Sequence, residues 1–137
     1  MSSRLNPYIS FNGNAREALE YYKDVFGGEL TISTFGDFGM ADAADKVMHG
    51  QLTSTEGYWL MGADTPPGMP YTPGNTMTMS LSGDDGDTLR GYFERLADGG
   101  NVTMPLEKQV WGDEFGQCVD KFGVAWMVNI GQGQQQQ

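Results

Sequence analysis

The sequence predicts an α+β fold made of two β-α-β-β-β modules, and three observations carry that prediction. Residues 12–30 (NGNAREALEYYKDVFGGEL) read as one amphipathic helix that stops at two glycines and passes at once into strand periodicity. A variant of the stretch returns at 84–102 (DDGDTLRGYFERLADGGNV). Ala15, Ala18, Leu19 and Tyr22 shift by 74 (15 to 89, for instance) onto Leu89, Tyr92, Phe93 and Leu96, and Gly27-Gly28 shifts by 72 (27 to 99) onto Gly99-Gly100. Between the copies, residues 64–74 (DTPPGMPYTPG) hold four of the six prolines and cannot be regular structure. This is a structural repeat more than a sequence repeat.

Each element follows from its local pattern. Residues 7–11 (PYISF) are β-branched and aromatic, with Pro7 tolerable at a strand's first position. Asn12 or Asn14 is placed to cap the helix that follows. Its apolar face is Ala15, Ala18, Leu19, Tyr22 and Phe26, and Arg16, Glu17, Glu20, Lys23 and Asp24 fall largely on the other face. Residues 29–35 alternate as a strand, 36–45 (GDFGMADAAD) form a loop, 46–54 (KVMHGQLTS) resume as a strand, 55–57 (TEG) turn, and 58–63 (YWLMGA) form a buried strand.

The second half repeats the order. Residues 75–82 (NTMTMSLS) alternate, with Met77, Met79 and Leu81 on one face and Thr76, Thr78 and Ser80 on the other. Asp84, Asp85 and Asp87 cap and charge a helix start, as the macrodipole favours. Leu89, Tyr92, Phe93, Leu96 and Ala97 are that helix's apolar stripe. Strands follow at 101–110, 114–120 and 124–130, with turns at Gly112-Asp113 and at 121–123. The expected organisation is therefore a first module at 1–66, a proline-rich linker at 67–74, a second module at 75–131, and a disordered Gln-rich tail at 132–137.

Composition narrows the function classes. With 137 residues the chain buries roughly two thirds of its unfolded surface and folds without staples. Its one cysteine, Cys118, excludes an intramolecular disulfide and any cysteine-cluster metal site. Eight Lys and Arg against a net charge of −10 argue against nucleic acid. The acidic balance suits a cationic ligand, and equally suits mere solubility. No apolar run approaches the roughly 18–20 residues of a membrane span, and the N-terminus lacks the layout of a signal peptide. The expectation is a cytoplasmic protein without a membrane partner.

Few residues carry chemistry. His49 is the only histidine. It is a candidate general base or ligand contact, since an imidazole titrates near neutral pH, or a strand histidine held by a hydrogen bond. Trp111-Gly112-Asp113-Glu114-Phe115-Gly116 is the most distinctive text. Trp111 and Asp113 either wall a pocket and orient a polar ligand, or belong to a hairpin whose aromatics fill the core and whose Asp113 binds turn backbone. A metal site would need three or four converging His, Asp or Glu side chains. His49, Glu56, Asp113, Glu114 and Asp120 are the raw material, in no diagnostic spacing. No glycine-rich phosphate loop follows a strand; the glycine pairs end helices instead of opening them. Cys118 reads as a small apolar strand residue.

The order of these pieces resembles the vicinal oxygen chelate superfamily (glyoxalase, bleomycin-resistance proteins and dioxygenases), and within it the PhnB-like branch. The carrying text is PYISFNGNAREALEYYKDVFGGEL, then KVMHGQL, then GGNVTMPLEKQVWGDEFGQCVDKFGVAWMVNI, nearly the whole of 6–130. The resemblance implies paired βαβββ modules whose eight strands curl into an open, cup-shaped mixed sheet with the helices on its convex side. It also implies a homodimer. In metal-using members the ligands come from the first and fourth strand of each module. On this sequence those strands are 7–11, 58–63, 75–82 and 124–130, and none holds His, Asp or Glu. They offer Tyr8, Ser10, Trp59, Met61, Thr76, Thr78, Trp126 and Asn129 instead. Members of this branch are often described as ubiquinone methyltransferases, an activity these residues do not support.

The expected function is thus binding of a small organic molecule in the cup, with no metal or cofactor. Tyr8, Trp59, Trp111 and Trp126 would form apolar walls, and His49, Thr76, Thr78 and Asp113 would make polar contacts. The alternative is a metal-dependent lyase, isomerase or dioxygenase with an atypical divalent-metal site around His49. The catalytic residues are unknown on either reading, with His49 the one candidate.

Overall fold

The computed structural model describes residues 3–131; the tail expected to be disordered, 132–137, lies outside them. The fold is α+β, built of two βαβββ modules. The chain divides into two compact units, Met1–Pro73 and Gly74–Gln137, so the division falls inside the proline-rich stretch.

The first unit runs β1 (Tyr8–Phe11), α1 (Ala15–Phe26), β2 (Glu29–Thr34), β3 (Val47–Thr53) and β4 (Trp59–Asp64). Its four strands form one open mixed sheet in the order β1-β4-β3-β2, with β1 parallel to β4 and the other pairs antiparallel. The second unit repeats this as β5 (Met79–Gly83), α2 (Gly86–Ala97), β6 (Asn101–Lys108), β7 (Glu114–Val119) and β8 (Ala125–Ile130). Its sheet order is β5-β8-β7-β6, again with one parallel pair, β5 and β8.

Each helix covers one face of its own sheet. The buried residues of α1 are Ala15, Ala18, Leu19, Tyr22, Val25 and Phe26, and those of α2 are Leu89, Tyr92, Phe93 and Leu96; these are the two sequence stripes, with Val25 added and Ala97 only partly covered. Strand alternation supplies the matching half of each core: Val47, Gly50 and Leu52 of β3, and Cys118, Trp126, Val128 and Ile130 of β7 and β8, are buried. Gly50 has no side chain because Leu19 of α1 occupies the place where its Cβ would sit.

The glycine pairs act alike in the two units. Gly27 (φ 72) and Gly99 (φ 79) take positive φ, which a glycine adopts without strain, and turn the chain off each helix. The second glycine of each pair then lies against the end of the neighbouring strand. A Cβ on Gly28 would strike the Thr53 carbonyl and Ser54; one on Gly100 would strike the Val119 carbonyl and Asp120.

Three details depart from expectation. The strand expected at 75–82 begins only at Met79, leaving Met77 82% exposed. Its parallel partner β8 starts at Ala125, with Met79 opposite Trp126, so residues 75–78 have almost no strand to pair with. Asp64, read as the first residue of the proline-rich loop, is the last residue of β4 and only 3% exposed. Neither Asn12 nor Asn14 caps α1: Asn14 occupies the N-cap position without a side-chain hydrogen bond. Asp64 does that work from across the module, its Oδ1 accepting from Gly13 N at 2.8 Å and Ala15 N at 2.9 Å. Its Oδ2 accepts from Val47 N at 3.0 Å.

That carboxylate joins the helix start, the β3 start and the β4 end. Asp64→Ala leaves three backbone donors without their acceptor, at roughly 1–3 kcal/mol each when buried. Urea unfolding is expected to show a loss of ~3 kcal/mol or more, against a change within about 0.5 kcal/mol for Asp42→Ala in the exposed loop. Equal midpoints for the two variants would refute this role.

Candidate functional site

The sheet face turned away from α1 in the first unit follows from β3. Gly50 and Leu52 face the helix, so His49, Gln51 and Thr53 face the other way. Register carries this face across the sheet. Gln51 stands opposite Thr31 on β2 and Met61 on β4, and Met61 stands opposite Tyr8 on β1. Beside this row, His49 is opposite Ser33, Ser10 is opposite Ala63, and Thr53 is opposite Trp59. The face thus combines hydroxyls, an amide, one imidazole and two aromatic rings with Met61 and Ala63, and Glu29, opposite Thr53, adds a carboxylate at its edge.

Tyr8 and His49 are brought together on it. The Tyr8 hydroxyl lies 2.9 Å from His49 Nδ1, and the two rings are tilted with centroids 5.6 Å apart. Partial burial raises the Tyr8 phenol above its ordinary value, so at neutral pH it keeps its proton and is able to donate it to a ring nitrogen. Tyr8 remains 52% exposed. Trp59 shares the face and carries the Arg4 guanidinium over its ring, 4.0 Å from the centroid. Arg4 lies in a stretch without any local pattern, and no sequence signal marks it. Gln51 was open to detection, since it follows His49 by the strand period.

In the second unit the corresponding face holds Ser80, Ser82, Phe115, Gln117, Met127 and Asn129, alternating with the buried positions. The turn between β6 and β7 places two predicted residues beside it. Trp111 is 56% exposed, so it does not fill the core, and its ring meets Phe115 edge-on at 6.0 Å. Asp113 Oδ2 accepts from Asn129 Nδ2 at 3.0 Å rather than from turn backbone.

Three of the predicted site residues stand elsewhere. Thr76 and Thr78 are exposed and precede β5, because the strand starts late. Trp126 is 3% exposed and belongs to the core. It shares strand parity with Val128 and Ile130, and its indole N–H donates to Asp120 Oδ2 at 2.9 Å. The Trp126 wall is therefore corrected to a core role.

The carboxylates considered for a metal are engaged separately. Asp120 Oδ1 accepts from Phe122 N and Val124 N, closing the β7–β8 turn. Glu114 takes a two-pronged hydrogen bond from Arg90 of α2 at 2.6 and 3.1 Å. Asp64, the one carboxylate on β4, points into the helix start. Among the described residues no group of three or more His, Cys, Asp or Glu side chains converges. The residues on β1, β4, β5 and β8 thus do not fit the chelating set that the metal-using superfamily members place there.

The comparisons with known proteins agree with the fold. The family model described as the Glyoxalase/Bleomycin resistance protein/Dioxygenase superfamily matches residues 4–128, and the chain belongs to that family. It is 29% identical to Protein YjdN of Escherichia coli over 92% of this chain and 94% of that one. Among solved structures it is similar to protein PA1353 from Pseudomonas aeruginosa, with a TM-score of 0.86 and 41% identity, covering 96% of this chain and 99% of that one. It is also similar to a Bacillus cereus PhnB protein described as a putative 3-demethylubiquinone-9 3-methyltransferase, with a TM-score of 0.73 and 25% identity over 94% of this chain and 100% of that one. No helix among the described residues is long and apolar enough to cross a membrane.

Two ionisable groups give measurable expectations. Burial pushes the Cys118 thiol up to about 11, so iodoacetamide at pH 8 is expected to leave native protein unmodified and to alkylate it in urea; rapid native labelling would contradict the burial. The Arg90 hydrogen bond holds the Glu114 carboxyl below its ordinary value. A depressed carboxylate contributes stability above its unfolded pKa and loses it as pH falls through the folded one. The gap in unfolding midpoint between wild type and Glu114→Gln is therefore expected at pH 7 and should close on acidification below the ordinary carboxylate range. A gap that persists in acid would assign the loss to packing instead.

Proposed function

We propose that this protein binds a small organic molecule on the helix-free face of its first module. The supporting observation is the Tyr8–His49 hydrogen bond at 2.9 Å, on the same face as Trp59. The Trp59 indole, with the Arg4 guanidinium over its ring, supplies an aromatic wall; with the Tyr8 hydroxyl donating to His49 Nδ1, its oxygen offers an acceptor and the second nitrogen of His49 a directional N–H donor. Ser10, Ser33 and Gln51 add hydrogen-bonding groups around them. Family membership supports the reading at the level of the fold, and binding here requires no chelated metal.

Equilibrium titration against paired libraries of cationic and anionic organic ligands tests it. At least one saturable ligand is expected, weakened about three- to tenfold by Tyr8→Phe and by His49→Ala, the range for one lost hydrogen bond. Indifference to both libraries, or binding untouched by either variant, would sink the proposal. The same reading includes a homodimer, as the family resemblance implies; light scattering should then give twice the 15.0 kDa of one chain.

A further inference from the structure

Asp113 Oδ1 is the one buried side-chain oxygen or nitrogen among the described residues that has no hydrogen-bond partner. Its twin, Oδ2, is held by Asn129 Nδ2 at 3.0 Å, which fixes the plane of the carboxylate. Asn129 stands opposite Phe115 across β7 and β8, and Phe115 meets the Trp111 ring at 6.0 Å. A carboxylate oxygen, an amide and two aromatic rings are therefore contiguous at one turn.

Chemistry selects what completes such a group. A carboxylate oxygen withdrawn from water and left unpaired is costly. Its strongest complement is an N–H donor that also bears positive charge, and the aromatic faces attract the same charge. No Lys or Arg of the described residues forms an ion pair with Asp113. The nearby Lys108 stands opposite Glu114 and acts on that carboxylate. The net charge of −10 raises the local concentration of any organic cation. Oδ1 is closed to solvent, so a donor reaches it by displacing the turn. The turn is closed by Gly112 N donating to the Gln109 carbonyl at 3.0 Å and by Gln109 N donating to the Asp113 carbonyl at 2.8 Å, and these are the bonds an incoming donor works against.

We propose that the β6–β7 turn is a binding site for an N–H-donating organic cation, an alkyl- or arylammonium group, with Asp113 as its counter-ion and Trp111 and Phe115 against its apolar part. A quaternary ammonium satisfies the charge but not the oxygen, and a neutral alcohol satisfies neither fully. The site stands on residues of the second unit alone and does not rest on the Tyr8–His49 reading.

Titration of the full chain with benzylammonium, benzyltrimethylammonium and benzyl alcohol, followed by NMR at the Asn129 side-chain amide, tests it. Saturable benzylammonium binding that shifts this amide is expected, with benzyl alcohol about tenfold weaker or more, and benzyltrimethylammonium between them. Asp113→Asn should weaken benzylammonium by a similar factor and leave benzyl alcohol unchanged, while Tyr8→Phe should change neither. Equal affinity of the wild type for the charged and neutral probes overturns the proposal without recourse to any variant. So does an Asn129 amide that stays unmoved at saturation, an Asp113→Asn protein that binds benzylammonium as the wild type does, or loss of that binding in Tyr8→Phe.

Discussion

The first module hangs on one buried carboxylate. Asp64 accepts three backbone N–H groups from two segments, which are otherwise joined by the exposed Lys46 Nζ bond to the Gly13 carbonyl, and it sits at the end of a third. A buried carboxylate is costly unless hydrogen-bonded, and here the partners are amides that the fold would otherwise leave unpaired. The helix start therefore needs no side chain of its own, and Asn14 is left uncommitted. Because β1 and β4 are parallel neighbours, fixing the β4 end also fixes where β1 leaves the sheet. Tyr8 and His49, on β1 and β3, owe their 2.9 Å approach to that frame.

The second module solves the same problem at its other end. Asp120, 3% exposed, closes the β7–β8 turn and takes the Trp126 indole. The first module has Ser54 at the matching turn, where it accepts from Tyr58 N at 2.8 Å. Pro105, which has no N–H to give, falls within the irregular register of the edge strand β6, between Met104 and Glu107, where a ladder bond is not required. The modules share a plan and differ in which corner carries the buried acid.

Much of this was legible in the sequence because helical and strand periods are local. The α1 and α2 stripes and the glycine stops needed no tertiary information. Other features depended on what lay across the sheet. The alternation at 75–82 is genuine, yet a strand extends only as far as its partner, and β8 begins at Ala125. Asp64 beside a proline-rich stretch reads as loop because nothing local reveals three distant amides. Trp126 was misread for a different reason. Its parity with Val128 and Ile130 places it on the buried face, so alternation outweighs aromatic character at this position. The Tyr8–His49 pair joins β1 to β3 across β4, a neighbour relation set by strand order rather than by spacing. Arg4 over Trp59 had no signal at all.

The glycines at Gly28 and Gly100 impose a constraint of another kind. Each lets a strand end lie where any side chain would collide with a carbonyl, so each fixes the distance between a helix exit and its sheet. That fixed distance separates inheritance from innovation. At these two contacts the helix-covered side of a module admits no side chain, while the opposite face carries none of that burden. Two copies of such a unit are free to acquire unrelated chemistries, a phenol–imidazole pair on one and a carboxylate–indole turn on the other, without either change disturbing the frame that both share.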